Sequence, residues 1–94
     1  MSYDKEKLYN ELIRDEGMVL TPYRDSLGYM TIGVGHLIKK GESFNAITEQ
    51  QAIAILDKDI EIAERNLNRV YSEWRELDEV RKRTLLNLSF NLGS

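Results

Sequence analysis

The chain contains no cysteine, only one proline and a single histidine among 94 residues. Without cysteine it can form neither a disulfide nor a thiolate metal site, so its stability must come from packing. No apolar run approaches the length of a transmembrane span, and the mild acidity argues against a membrane-surface protein, so we expect no membrane partner. The segment Met1–Lys7 is largely polar and charged, unlike the apolar part of a signal peptide. We therefore expect a protein made in the cytoplasm without a signal peptide.

An excess of basic residues is also missing, because the formal net charge is −3 while 31% of the residues are charged. Nonspecific binding of nucleic acid depends on a basic surface that displaces counterions, so we expect no nucleic-acid partner. The length permits one domain, and no repeat or linker divides the chain. We therefore predict a single domain over residues 1–94.

Hydrophobic periodicity predicts the first half of the fold. Apolar residues recur at three- and four-residue steps from about Tyr3 to Glu16, which indicates a helix, and Gly17 is a natural stop for it. From about Leu20 to Ile38 the period changes to two. This pattern predicts a small antiparallel hairpin or three-strand sheet.

The second half of the chain is predicted to be helical. Thr48 and Gln51 form a capping box that begins a long helix reaching about Val70. Asp78 can cap a last helix, which Gly93 is expected to close. The fold class is therefore α+β: a helix, a small antiparallel sheet, a long helix and a further C-terminal helix.

Glu16 is a candidate general acid. It follows Leu12 and Ile13 at helical spacing, so it lies at the end of the apolar face of the first helix. Partial desolvation and the negative end of the helix dipole both raise the pKa of such a carboxyl. A raised pKa is what a general acid needs near neutral pH. The alternative is a solvated glutamate at a frayed helix end.

Asp25 and Thr31 are the candidates that follow Glu16 along the chain. Asp25 begins the turn Asp25–Gly28, and the alternative is that its side chain only stabilises this turn. Together with Glu16 it would provide the two carboxyls that glycoside hydrolysis requires. Thr31 lies on the returning strand, where its hydroxyl could donate to a carboxylate and hold a water. The alternative is a threonine chosen for its β propensity.

The single histidine, His36, is a poor metal ligand without cysteines or clustered acids, and no metal or cofactor is predicted. Asp59 interrupts an otherwise apolar stripe of the long helix and needs a cation or hydrogen-bond donors. The tract Gly33-Val34-Gly35 is weak as a phosphate loop, since no helix begins directly after it. Its glycines more plausibly allow a saccharide or another chain segment to approach the strand closely.

The chain contains a three-residue motif. The glutamate Glu16 is followed, after eight residues, by the aspartate Asp25 and, after five more, by the threonine Thr31. In this motif, in the strand tract 29–36 and in the run 87–93, the chain resembles the phage-type lysozymes, glycoside hydrolase family 24. The resemblance covers most of the chain and implies a lysozyme-like N-terminal lobe. It also implies hydrolysis of peptidoglycan, the expected partner, on the bacterial wall after release from the host cytoplasm.

The resemblance assigns roles to individual residues. Glu16 would be the general acid, Asp25 would position and activate the water, and Thr31 would help to hold that water. The family is regarded as inverting, which implies a gap of about 6.5–9.5 Å between the two carboxyls. His36 and Asp59 match a structural ion pair. Four residues match substrate-binding positions of the cleft: Tyr23, Tyr29, Leu37 and Phe90.

The resemblance further implies a second, helical lobe beyond Ser94 that forms the other wall of the cleft and supplies a basic residue beside the acid. We therefore expect a truncated domain whose end helices expose apolar residues and cause self-association or docking with such a lobe. These residues are Leu8, Leu12, Ile13, Leu85, Leu86, Leu88 and Phe90. Whether Gly93-Ser94 is native sequence is open. A catalytically incompetent saccharide-binding or structural fragment, or an interaction domain borrowed for its fold, remain the alternatives.

Overall fold

A computed structural model describes residues 3–92, so the expectations about Gly93 and Ser94 lie outside the described residues. Its regular elements are the helices α1 (Lys5–Glu16), α2 (Glu49–Val70) and α3 (Glu79–Leu92), the strands β1 (Val19–Arg24), β2 (Met30–Gly33) and β3 (His36–Leu37), and a 3₁₀ helix (Ser72–Glu76). The predicted α+β class is confirmed. Among the described residues, no helix is long and apolar enough to cross a membrane.

Helix α1 begins and ends at side-chain and glycine caps. The Asp4 carboxylate accepts a hydrogen bond from the backbone N–H of Lys7, which satisfies a donor of the first turn. Gly17 follows the last turn with a φ of 78°, and its N–H donates to the carbonyl of Ile13. The predicted stop is confirmed, and it turns the chain away directly after Glu16.

The caps of α2 and α3 also agree with the sequence. Thr48 and Gln51 form both hydrogen bonds of the capping box at the start of α2. The carboxylate of Asp78 accepts from the N–H of Arg81 at 2.8 Å and caps α3. Between these helices the 3₁₀ helix carries Trp74, which is fully buried. Helices α2 and α3 pack against each other.

The sheet is antiparallel and has the strand order β1-β2-β3. The predicted three-strand antiparallel sheet is confirmed, but the period-two pattern is interrupted, because β2 ends at Gly33 and the chain turns before β3 begins at His36. Gly33 and Gly35 take φ values of 66° and 65°, which residues with a β-carbon rarely adopt. The turn therefore depends on the two glycines, and Val34 between them is buried in the core.

One hydrophobic core joins all three helices to the turn between β2 and β3, which contributes Val34. Leu8 and Leu12 of α1 have no exposed surface, and Leu86 of α3 has only 1%. The expectation that these leucines are exposed is wrong, because Trp74 and the inner face of α2 cover them within this chain. Exposed apolar side chains remain along the groove between the C-terminal parts of α2 and α3, namely Val70, Leu88 and Leu92.

Candidate active site

The sheet places three of the predicted site residues in one row. Tyr23 of β1 is directly opposite Thr31 of β2, and Thr31 is directly opposite Leu37 of β3. Residues that pair directly across antiparallel strands project from the same face of the sheet. Tyr23, Thr31 and Leu37 therefore share one face.

Glu16 is the last residue of α1 and is partly buried. Its carboxyl lies against the turn between β2 and β3, so close that a β-carbon placed on Gly35 would be 2.8 Å from its Oε1. Burial raises the pKa of the Glu16 carboxyl, and the negative charge of the neighbouring Asp15 raises it further. The protonated form is therefore favoured more than in a solvated glutamate.

Asp25 is partly buried at the end of β1. Its Oδ1 accepts hydrogen bonds from the backbone N–H groups of Leu27 and Tyr29, both at 2.9 Å. The turn is closed by a further bond from the N–H of Gly28 to the carbonyl of Asp25. The side chain thus has the turn-stabilising role that the sequence left open. These bonds also fix the carboxylate in one orientation, and its oxygens keep lone pairs for further partners.

The charges of both carboxyls affect the hydroxyl of Tyr23. The pKa of its hydroxyl is raised by burial and then by the negative charges of Glu16 and Asp25. Both carboxyls therefore lie near enough to Tyr23 to act on its hydroxyl, although they come from different elements.

Thr31 is only 2% exposed, and its hydroxyl donates to the carbonyl of Tyr29 at 3.0 Å. The single hydroxyl proton is thus engaged by the backbone rather than by a carboxylate. The oxygen can still accept a hydrogen bond from a water or a sugar hydroxyl.

Leu37 and Phe90 line a common cavity of about 90 Å³ between the sheet and helices α2 and α3. Gly35, His36 and Asp59 belong to its wall as well, so the turn that contacts Glu16 also borders this cavity. Tyr29, which is 60% exposed, lies apart from it in the turn beside Asp25. The structure therefore brings Leu37 and Phe90 together, and Tyr29 is separate from them.

His36 is buried and has a carboxylate at each ring nitrogen. Nδ1 lies 2.7 Å from Oδ2 of Asp59, and Nε2 lies 3.1 Å from Oε1 of Glu42. The hydrogen bond to Asp59 is the main reason that the pKa of His36 is raised. Sequence reasoning did not identify Glu42, which also accepts from the N–H of Lys39. A loop residue six positions from His36 leaves no periodic pattern that would reveal it. Within residues 3–92, no group of at least three His, Cys, Asp or Glu side chains could hold a metal ion.

Glycoside hydrolysis uses two carboxyls in different surroundings, and the structure offers one that is partly buried and one that backbone N–H groups hold. The family model described as "Phage lysozyme" matches residues 14–94. This match covers most of the chain, so the chain belongs to the phage lysozyme family. It is a glycoside hydrolase of the muramidase type, which cleaves peptidoglycan.

Proposed function

We propose that the chain hydrolyses the glycosidic bond of the cell-wall glycan with Glu16 as general acid and Asp25 as the residue that positions and activates water. One observation carries this assignment: Glu16 lies partly buried against the Gly35 turn, whereas two backbone N–H groups hold the Asp25 carboxylate in one orientation. The difference between their surroundings supports separate roles. Glu16 is desolvated, whereas Asp25 is held by two backbone N–H groups, which stabilise a negative carboxylate.

In the proposed reaction, protonated Glu16 donates its proton to the bridging oxygen as the bond from that oxygen to the anomeric carbon breaks. A water attacks the anomeric carbon from the opposite face of the sugar, and Asp25 accepts the proton that the water loses. The configuration at the anomeric carbon is inverted. Asp25 then releases its proton to solvent and Glu16 takes one up, which restores both carboxyls.

Thr31 and the four expected substrate-binding residues complete the proposal. Since the Thr31 proton is donated to Tyr29, the hydroxyl oxygen would help to hold the water by accepting a hydrogen bond from it. Leu37 and Phe90 would contact the glycan from the wall of their common cavity. Tyr23 would contact it beside the two carboxyls, and Tyr29 would contact it from the exposed turn.

The test compares the purified chain with its Glu16→Gln and Asp25→Asn variants on soluble peptidoglycan fragments. Glu6→Gln is the matched control, because Glu6 is an exposed acid in the first turn of the same helix. We expect both site variants to fold and to lose at least the ~10²–10⁴-fold that general acid–base catalysis contributes. NMR of the first product should show the inverted anomer. A Glu16→Gln chain that cleaves at the rate of Glu6→Gln would overturn the assignment.

The same assay distinguishes an active hydrolase from the alternative, a catalytically incompetent saccharide-binding or structural fragment. Such a fragment would bind the glycan or leave it untouched without producing new reducing ends, in the unsubstituted chain as well as in the variants. Supplying a separately produced C-terminal lobe of a family member would then show whether cleavage is restored.

We also propose that the chain is made in the host cytoplasm and meets its substrate only after release. The match to the phage lysozyme family supports this proposal, because the resemblance to that family implies action on the bacterial wall after release. Fractionation of expressing cells before and after the inner membrane is permeabilised tests it. Lytic activity in the periplasm of intact cells would contradict it.

A further inference from the structure

We infer that Gly35 is a positioning residue for Glu16, because the absence of a side chain at Gly35 leaves the space that the Glu16 carboxyl occupies. This inference rests on the proposed role of Glu16 as general acid. It concerns a residue that does not react and that acts through the position of the acid.

The contact involves the whole end of the Glu16 side chain. A β-carbon on Gly35 would lie 2.8 Å from Oε1, 3.2 Å from Cδ and 3.2 Å from Cγ of Glu16. Ordinary contact with such atoms begins at about 3.4 Å. Any residue other than glycine at this position would therefore displace the carboxyl by several tenths of an ångström or more.

The other glycines show that this contact is distinct from a requirement for positive φ. Gly17, Gly28 and Gly41 also have positive φ, yet no atom lies within 4 Å of a β-carbon placed on any of them. At Gly33 the nearest atom, in Ala52, is 3.7 Å away, which is an ordinary contact. Among the glycines that the structure describes, Gly35 is thus the one that combines positive φ with a close approach to a functional side chain.

The backbone of Gly35 is held on both sides. Val34 before it is buried in the core, and His36 after it is bound to the carboxylates of Asp59 and Glu42. An added side chain would therefore move Glu16 rather than the turn. A carboxyl at the end of a flexible side chain moves at little cost, so we expect the fold to survive while the position of the acid changes.

The same contact contributes to the desolvation of Glu16. The pKa of Glu16 is raised by burial and by the charge of Asp15 on α1, and the charge of Glu16 in turn raises the pKa of Tyr23 on β1. Burial is the largest cause of the raised Glu16 pKa, and the Gly35 turn is part of what covers the carboxyl. A carboxyl displaced toward solvent would have a lower pKa, so less of the proton-donating form would be present at neutral pH.

The test is Gly35→Ala with Gly41→Ala as its matched control, since both introduce a β-carbon at positive φ but only the first meets Glu16. Carbon-13 NMR of the Glu16 carboxyl should show a lower pKa in Gly35→Ala and the unsubstituted value in Gly41→Ala. The alkaline limb of the pH–rate profile should move to lower pH, and kcat should fall by about 10–100-fold while KM changes little. Equal Glu16 pKa values and equal pH profiles in the two variants would overturn the inference.

A second measurement does not depend on the folding of a glycine variant. In the unsubstituted chain, the amide resonance of Gly35 should shift with the midpoint of the Glu16 titration, and this shift should vanish in Glu16→Gln. A Gly35 amide that does not respond to Glu16 would contradict the contact. If Glu16→Gln remained lytic, the proposed function would fail, while the amide titration would still decide whether Gly35 and Glu16 are in contact.

Discussion

The Nδ1 atom of His36 lies 2.7 Å from Oδ2 of Asp59, which joins strand β3 to helix α2. Glu42 binds the other ring nitrogen and attaches the loop before α2 to the same ring. A carboxylate at each nitrogen favours the imidazolium, in which both nitrogens are donors. The pair therefore fixes the turn that carries Gly35 on one side of the candidate site.

We predict that the His36 interactions stabilise the fold most at mildly acidic pH. The folded-state pKa of His36 is raised, so its contribution is present below the unfolded value of about 6.5 and is lost as pH rises through the higher folded value. The folded-state pKa of Glu42 is lowered, so its contribution is present above its unfolded value and is lost as pH falls through the lower one. Urea unfolding over a pH series, together with NMR titration of His36, measures both limits.

Asp59→Asn tests the same pair. The amide keeps the size of the side chain but removes its charge, so the pKa of His36 should fall and stability should decrease by about 1–3 kcal/mol at mildly acidic pH. Glu61→Gln, an exposed acid on the same helix, is the control and should change neither quantity appreciably. A His36 pKa that is unchanged in Asp59→Asn would show that the contact is absent in solution.

We predict that the Tyr23 hydroxyl reports on both carboxyls of the candidate site. The charges of Glu16 and Asp25 each raise its pKa, so Glu16→Gln and Asp25→Asn should each lower it. The pKa can be followed by carbon-13 NMR of the ring carbon that bears the hydroxyl. Glu6→Gln should leave it unchanged. If only one of the two site variants lowers the pKa, the two carboxyls do not share a groove beside Tyr23.

Local signals in the sequence were sufficient for the helix ends but not for the contacts of the site. Gly17, Thr48 and Asp78 act on backbone groups a few residues away, so their roles can be read from neighbouring positions. The approach of Gly35 to Glu16 depends on how the turn packs against α1, which no periodicity encodes. The sequence did indicate that the glycine tract permits a close approach, but it could not identify Glu16 as the partner.

We predict that α1 is part of the core of this chain. Leu12 is fully buried, so Leu12→Ala should lower the free energy of unfolding by about 2–5 kcal/mol. Leu88→Ala is the control, because Leu88 is 53% exposed and its truncation should cost much less. Urea unfolding of the two variants measures the difference. Equal losses would mean that α1 is not packed as the structure describes.

We predict concentration-dependent self-association through the apolar surface formed by Val70, Leu88 and Leu92. These side chains are 76%, 53% and 75% exposed, and they border one groove between the C-terminal parts of α2 and α3. Burying a leucine-sized side chain contributes roughly 1.5–3 kcal/mol, so a few of them can drive weak association.

Leu88→Glu should abolish this self-association, because a carboxylate in such a contact would lose its hydration without gaining a partner. Val80→Glu is the control, since Val80 is 63% exposed but does not line the groove. Sedimentation over a concentration series measures the effect. A monomer at every concentration, in the unsubstituted chain and in both variants alike, would show that this surface does not mediate self-association.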